Sequence, residues 1–182
     1  MKKIYILNGV GTSGKGEFVS RVAKYIPTIQ YSIIDMIKEV AETLGWQYGK
    51  SEKDRKFLSD LMDLSSEYND MPYQDVSGLV GAFNSELPEE VLIIDMRDPK
   101  DIARAVKDFG AETILIRNPN VKKIQTNHAD ANVEEYEYDY IIENDGTLNQ
   151  LDKVAKLFCH DVICGEHIPD KHKPFILKCT KY

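Results

Sequence analysis

The sequence predicts a three-layer α/β fold, with a parallel sheet of five strands lying between helices. Two observations carry this. Short apolar runs alternate with segments whose apolar residues recur at helical spacing, the pattern of a parallel sheet covered by helices. The first apolar run, Ile4-Tyr5-Ile6-Leu7, leads through a glycine-rich turn into Phe18, Val19, Val22, Ala23 and Tyr25, spaced as one helix face. At 182 residues the chain is the size of one domain and long enough to bury a core.

Each element has its own signal. Residues 3–8 are short and apolar with Gly after them, a buried strand. The first helix runs from about Lys15 to Tyr25 and stops before Pro27. Thr28 to Ser32 is a short second strand. Ile34, Ile37, Val40, Ala41 and Leu44 mark a helix that Gly45 closes. Residues 50–70 are highly charged, yet Phe57, Leu58, Leu61, Met62 and Leu64 make an amphipathic stripe, broken at Met71-Pro72. Tyr73 to Phe83 is a further helix with Val76, Leu79, Val80 and Phe83 inward. Val91 to Ile94 is a strong buried strand, followed by a helix over Pro99 to Phe109 that ends at Gly110. Thr113 to Ile116 and Tyr138 to Ile142 are the fourth and fifth strands. Asn144-Asp145-Gly146 is a turn, and Thr147 caps a last helix carrying Leu148, Leu151, Val154, Ala155, Leu157 and Phe158.

The turn after the first strand carries the chemistry. It reads Gly9-Val10-Gly11-Thr12-Ser13-Gly14-Lys15-Gly16-Glu17. Gly9, four residues and Gly14-Lys15 match seven positions of the phosphate-binding loop G-x-x-x-x-G-K-[ST], in its strand–loop–helix context. Glycines let the backbone turn its N–H groups around a phosphate, and the helix that follows points its unpaired amides and positive dipole end at the anion. Lys15 supplies a mobile positive charge for the terminal phosphates. The loop makes the expected fold a P-loop NTPase fold, with residues 9–17 as nucleotide ligands and ATP with Mg2+ as cofactors. Gly16 stands where a hydroxyl would hold magnesium, so the ion is expected on water and nucleotide oxygens, with no side chain assigned as its ligand. The bland alternative is a glycine turn with no ligand.

Composition excludes several classes. Net charge is −7, which argues against a general nucleic-acid surface. Up to Pro27, however, Lys2, Lys3, Lys15, Arg21 and Lys24 face Glu17 alone, which suits a small anion. Three cysteines do not make a disulfide framework. No apolar run approaches the roughly 20 residues of a membrane span, and the amino terminus lacks the apolar core of a secretory signal. The expectation is a cytoplasmic protein with no membrane partner.

Other candidate residues follow from strand ends and spacing. Asp95 and Arg97 follow the strand 91–94, where open parallel sheets present ligands. An Asp there commonly holds magnesium or its waters, and the planar Arg fork suits a phosphate. The alternative is that they merely neighbour a helix start at Asp98-Pro99. Asp35 and Lys38, three apart, share a helix face, which also describes a surface ion pair. Lys53, Arg55 and Lys56 bring positive charge to the helical insertion, or form a solvated helix start. Arg117 ends the fourth strand and is a candidate substrate-binding residue that would cover the transferring phosphoryl group. Residues 118–136 lack periodicity and contain Lys122, Lys123 and His128, groups suited to a lid over phosphates. Residues 159–182 hold Cys159, Cys164 and Cys179 and His160, His167 and His172. Their spacing is no recognised zinc frame. The tail reads as a strand or hairpin whose Phe175-Ile176-Leu177 packs on the domain or on a second copy, making a homodimer the alternative.

Four pieces of this chain resemble the deoxynucleoside monophosphate kinase and animal-type phosphomevalonate kinase branch of the adenylate-kinase-like P-loop kinases. They are SGKGEFV at the loop, DMIKE at 35–39, IIDMRDPKDIARAVKDFGA at 93–111 and NHADANVEEYEYDYIIENDGTLNQL at 127–151. The last carries the group's lid His and D-x-x-I-x-N-x-G-x-L run as His128, Asp139, Ile142, Asn144, Gly146 and Leu148. The resemblance implies a kinase-like domain over 1–158, with an acceptor-binding helical insertion at about 34–86, a lid at about 118–136, and 159–182 as an extension. It implies that Lys38 and Arg97 bind an acceptor phosphate, with Asp35 beside Lys38, that Asp95 lies near the metal, and that Lys15, Asp95, Arg97 and His128 are catalytic; Arg55 joins the substrate-binding candidates on the charge of the insertion. It also implies ATP-dependent transfer of a phosphoryl group to a small phosphorylated acceptor, a nucleoside monophosphate first. The alternatives are a non-nucleotide acceptor such as phosphomevalonate, or nucleotide binding without catalysis. Glu17, and Lys122 and Lys123 in place of lid arginines, depart from the group's pattern.

Overall fold

The computed structural model of the chain describes residues 2–121, 133–165 and 174–181. Six strands form one sheet: β1 (Lys3–Asn8), β2 (Thr28–Ser32), β3 (Val91–Asp95), β4 (Glu112–Arg117), β5 (Tyr140–Glu143) and β6 (Phe175–Lys178). Their order is β2-β3-β1-β4-β5-β6, and the pairs β1·β3, β1·β4, β4·β5 and β5·β6 are parallel. The three-layer parallel architecture is therefore the one expected, with six strands rather than five. The extra strand is the tail: Phe175 to Lys178 runs parallel to β5, pairing Tyr140 with Phe175 and Glu143 with Lys178. Of the two forms expected for the tail, the described residues show a strand paired in parallel with β5.

The chain divides into two compact units, Met1–Gln30 with Pro88–Tyr182, and Tyr31–Leu87. In the first, β1 is central. Its side chains alternate: Tyr5 and Leu7 join one core with residues of α1 (Lys15–Val22) and α6 (Leu148–Leu157). Ile4 and Ile6 point to the opposite face. There α5 (Pro99–Phe109) packs on β1 and β4, burying Ile102 and Ala105. The first core is aromatic at its centre. Tyr5, Phe18, Tyr140 and Phe158 make edge-to-face contacts, with Phe158 5.4–5.6 Å from the other three rings.

The second unit is helical: α2 (Asp35–Thr43), α3 (Glu52–Asn69) and α4 (Met71–Ser85). Ile37, Ala41, Tyr73, Val76, Val80 and Phe83 are buried. The amphipathic stripe of α3 is shallower than its pattern suggests, since no α3 residue is fully buried. Ser51 opens α3 with a reciprocal capping box to Asp54. Asp70, in the left-handed region, separates it from α4.

Boundaries moved where local bonds compete with the period. The first helix stops at Val22, and Lys24 and Tyr25 bond back three residues in a tightened last turn. Tyr138 and Asp139 stand outside β5. Instead Asp139 accepts hydrogen bonds from the Thr113 amide and hydroxyl, both at 2.8 Å. The last helix continues as a π-helical turn over Phe158–Ile163, which buries Phe158, Cys159 and Val162. No helix among the described residues is long and apolar enough to cross a membrane.

Candidate functional site

The strand order reverses at β1, whose neighbours β3 and β4 are consecutive in sequence. Ligand crevices in open parallel sheets open at the carboxyl end of such a strand. Residues 9–14 occupy that place, between Asn8 of β1 and Lys15 of α1.

The loop is shaped by backbone that most residues resist. Gly9 has φ +151°, and a Cβ there would stand 2.6 Å from the Ile116 carbonyl oxygen of β4. Gly14 has φ +100°, and Thr12 sits at φ 65°, a costly conformation for a β-branched residue. Gly14 gives α1 no side-chain cap. The amides of Lys15, Gly16 and Glu17 open the helix, so they have no acceptor within it. Two loop amides are instead committed internally: Gly9 N–H donates to Asn8 Oδ1 at 2.7 Å and Ser13 N–H to the Val10 carbonyl at 3.2 Å. The Ser13 hydroxyl is buried with no hydrogen-bond partner among the described residues, an unusual cost for a loop residue. Lys15 folds over the loop, its Nζ 2.5 Å from the Gly9 carbonyl oxygen and 3.4 Å from that of Val10.

Glu17 is turned from the loop. Its carboxylate pairs with Arg21 one turn on, and Arg21 is 8% exposed. Arg21 also donates to the Leu148 carbonyl at 3.1 Å, tying α1 to the start of α6. The acidic departure from the motif thus neutralises a buried cation. The i, i+4 spacing was the available sequence signal.

Three other expected residues lie on the same sheet edge. Asp95 ends β3 opposite Leu7 of β1, and its Oδ2 accepts from Gln30 Nε2 at 2.7 Å. Arg97 is half-buried after β3, and its carbonyl accepts from Asn8 Nδ2 at 3.4 Å. Asp98, not Arg97, caps α5 by accepting from the Lys100 amide at 2.7 Å. Arg117 ends β4 and is gripped through Nε and Nη2 by the Glu134 carboxylate.

Asp35, Lys38 and Arg55 belong to the helical unit. Lys38 Nζ is 2.6 Å from Asp35 Oδ1, and Asp35 Oδ2 accepts from the Ser32 amide at 2.9 Å. Tyr31 donates to Asp75 in the same unit. Burial and that carboxylate both hold the Tyr31 hydroxyl well above the usual tyrosine range. Arg55 is exposed on α3. Lys122, Lys123, His128, His167 and His172 lie outside the described residues.

Sequence reasoning missed the residues that brace the loop. Asn8 is fully buried and donates to the Tyr138 hydroxyl at 2.7 Å, while Tyr138 donates to the Val133 carbonyl at 2.9 Å. A polar residue closing an apolar strand was the only signal for Asn8. Asn144 donates to the Ser13 carbonyl at 3.0 Å. Among the described residues no group of three or more His, Cys, Asp or Glu side chains could hold a metal ion.

No protein-family model matches the chain, and no curated protein matches it. Solved structures do. An unliganded sugar kinase from Janibacter sp. HTCC2649 aligns over 92% of this chain and 100% of its own, at 12% identity and a TM-score of 0.50. The tunicamycin resistance protein of Deinococcus radiodurans aligns over 88% and 96%, at 13% identity and a TM-score of 0.53. At such identities the likeness is one of fold. The chain shares the α/β fold of these structures, a parallel sheet flanked by helices.

Proposed function

We propose that this protein is a phosphotransferase that moves the γ-phosphoryl group of ATP to a small phosphorylated acceptor, a (deoxy)nucleoside monophosphate first. The observation that supports it is the loop. Helix-opening amides without a side-chain cap, a buried Ser13 hydroxyl with no partner among the described residues, and a lysine ammonium resting on loop carbonyls make the loop donor-rich. That donor set fits a polyphosphate.

In this reading the amides of residues 15–17 and Ser13 Oγ hold the donor phosphates. Lys15 exchanges the Gly9 and Val10 carbonyls for phosphate oxygens. Asp95, oriented by Gln30, is the carboxylate available to Mg2+ or its waters, and the ion would offset donor charge. The candidates for the acceptor phosphate are Arg97 and, in the helical unit, Lys38. Arg117 reaches a phosphoryl group only by exchanging Glu134. His128 retains its expected lid role. Catalysis of this type is positioning and charge neutralisation, and a phosphate acceptor, already anionic, needs no general base.

A second reading has one observation in its favour. In the helical unit Lys38 is already neutralised by Asp35, and Asp75 holds Tyr31. Such paired acids suit a hydroxyl acceptor better than a phosphate. A coupled ADP-release assay with Mg-ATP and a panel of monophosphates and polyols decides between them. Lys15→Ala should abolish turnover on whichever acceptor is used, and an unchanged rate rejects the phosphotransferase reading.

A further inference from the structure

The tail was the part of the chain with no assigned role, yet it bears on the loop. Asn144 Nδ2 donates to the Ser13 carbonyl, and a Cβ on Gly14 would stand 2.3 Å from that nitrogen. The carboxamide therefore fills the space directly behind Ser13-Gly14. Asn144 is itself fixed by its amide, which donates to the Arg117 carbonyl at 2.7 Å.

Glu143, Asn144 and Asp145 are bonded one to one by three consecutive residues of the tail, Lys178, Cys179 and Thr180. Lys178 Nζ is 2.7 Å from Glu143 Oε2. The Cys179 thiol lies 3.9 Å from Asn144 Oδ1. Thr180 donates twice to Asp145, from its amide at 3.0 Å and its hydroxyl at 2.7 Å. The packing leaves no slack, because Cys179 is fully buried and a Cβ on Gly146 would meet the Cys179 Cβ at 3.0 Å. Parallel pairing of β5 with β6 brings the two triplets level.

We propose that residues 178–180 form a strap that positions the phosphate-binding loop through Asn144, making Asn144 and Thr180 positioning residues for a bound polyphosphate. The last clause rests on the nucleotide reading above. The strap itself is a statement about the loop's backbone and is testable without a ligand.

The test uses the full chain with Thr180→Val, Asn144→Ala, their double variant and the conservative Thr180→Ser. Hydrogen exchange of the peptide spanning residues 9–17, without nucleotide, should quicken in Thr180→Val and return to wild-type rates in Thr180→Ser. Calorimetry with Mg-ATP should show each single variant binding about 2- to 12-fold more weakly, the range of one lost hydrogen bond. The double variant should lose less than the product of the two, since both act through one contact. The acceptor KM should hold while the ATP KM rises. Unchanged exchange in residues 9–17, or multiplicative losses in the double variant, overturns the strap. Quickened exchange in a protein that binds no ATP keeps the strap and overturns the nucleotide reading. Should Thr180→Val not fold, Asp145→Asn replaces it with the same expectations.

Discussion

Replacing Gly9 by alanine tests the loop's architecture most directly. The new Cβ would stand 2.6 Å from the Ile116 carbonyl oxygen and 2.8 Å from Ser13 Oγ, at a φ of +151°. The first obstacle is β4 backbone, paired on one side with β1 and on the other with β5, so it has little room to shift. Backbone strain of about 1–3 kcal/mol and overpacking of a similar size together predict a loss of about 2–6 kcal/mol. For a chain this long the melting temperature should fall by roughly 4–24 °C. Gly16→Ala is the control. Among the described residues nothing lies within 4 Å of its Cβ position, and alanine favours the helix there by at most about 1 kcal/mol. Thermal melts by circular dichroism give the stability, and titration calorimetry with Mg-ATP gives binding, which should be lost in Gly9→Ala where it still folds. A Gly9→Ala protein that melts with Gly16→Ala and binds ATP like the wild type refutes the claim that β4 shapes the loop.

Glu17→Ala should destabilise by about 1–2 kcal/mol, because half-buried neutralisation of Arg21 is lost while Asp152, 3.9 Å away, remains. ATP affinity should stay within about threefold. Unchanged stability with weakened ATP binding would instead return Glu17 to the nucleotide site. The Asp145 carboxyl is held below its usual range, first by the Thr180 hydroxyl and then by the Thr180 amide. A depressed folded value contributes stability above the unfolded value of about 3.9 and loses it as pH falls through the folded value. The melting-temperature gap between wild type and Asp145→Asn should therefore stay constant from neutral pH to about 4 and close below it, which a pH series of melts would check. A gap that widens with acid would contradict the assignment.

The sheet's centre and the loop were legible because their signals are local. Ile4 to Leu7 and Val91 to Ile94 are buried on both faces, so they read as continuous apolar runs without need of a partner. The glycine spacing needs only its own nine residues. The fifth strand begins two residues later than its apolar pattern suggests, because Tyr138 and Asp139 have strand-like chemistry but commit their polar atoms elsewhere, to Asn8 and Thr113. The sixth strand and the brace on the loop were not legible for a different reason. Asn144 meets Ser13 across 131 residues, and Thr180 meets Asp145 across 35. No periodicity encodes such pairings, and they follow only once the strand order is known.

That order also explains why a loop of this composition can hold its shape. Three glycines, a left-handed Thr12 and an uncapped helix start would, in isolation, sample many conformations, each costing entropy to fix on a ligand. Here the cost is met in folding. Ile116 bars Gly9 from movement on one side, Asn144 backs Gly14, and Arg21 ties α1 to the start of α6. All three contacts come from the half of the sheet beyond β1, which is completed last in sequence by β6. In the proposed reading the loop over residues 9–17 is thus held in shape by residues as distant as 180, and changes at the tail should be felt at the loop before they are felt at the core.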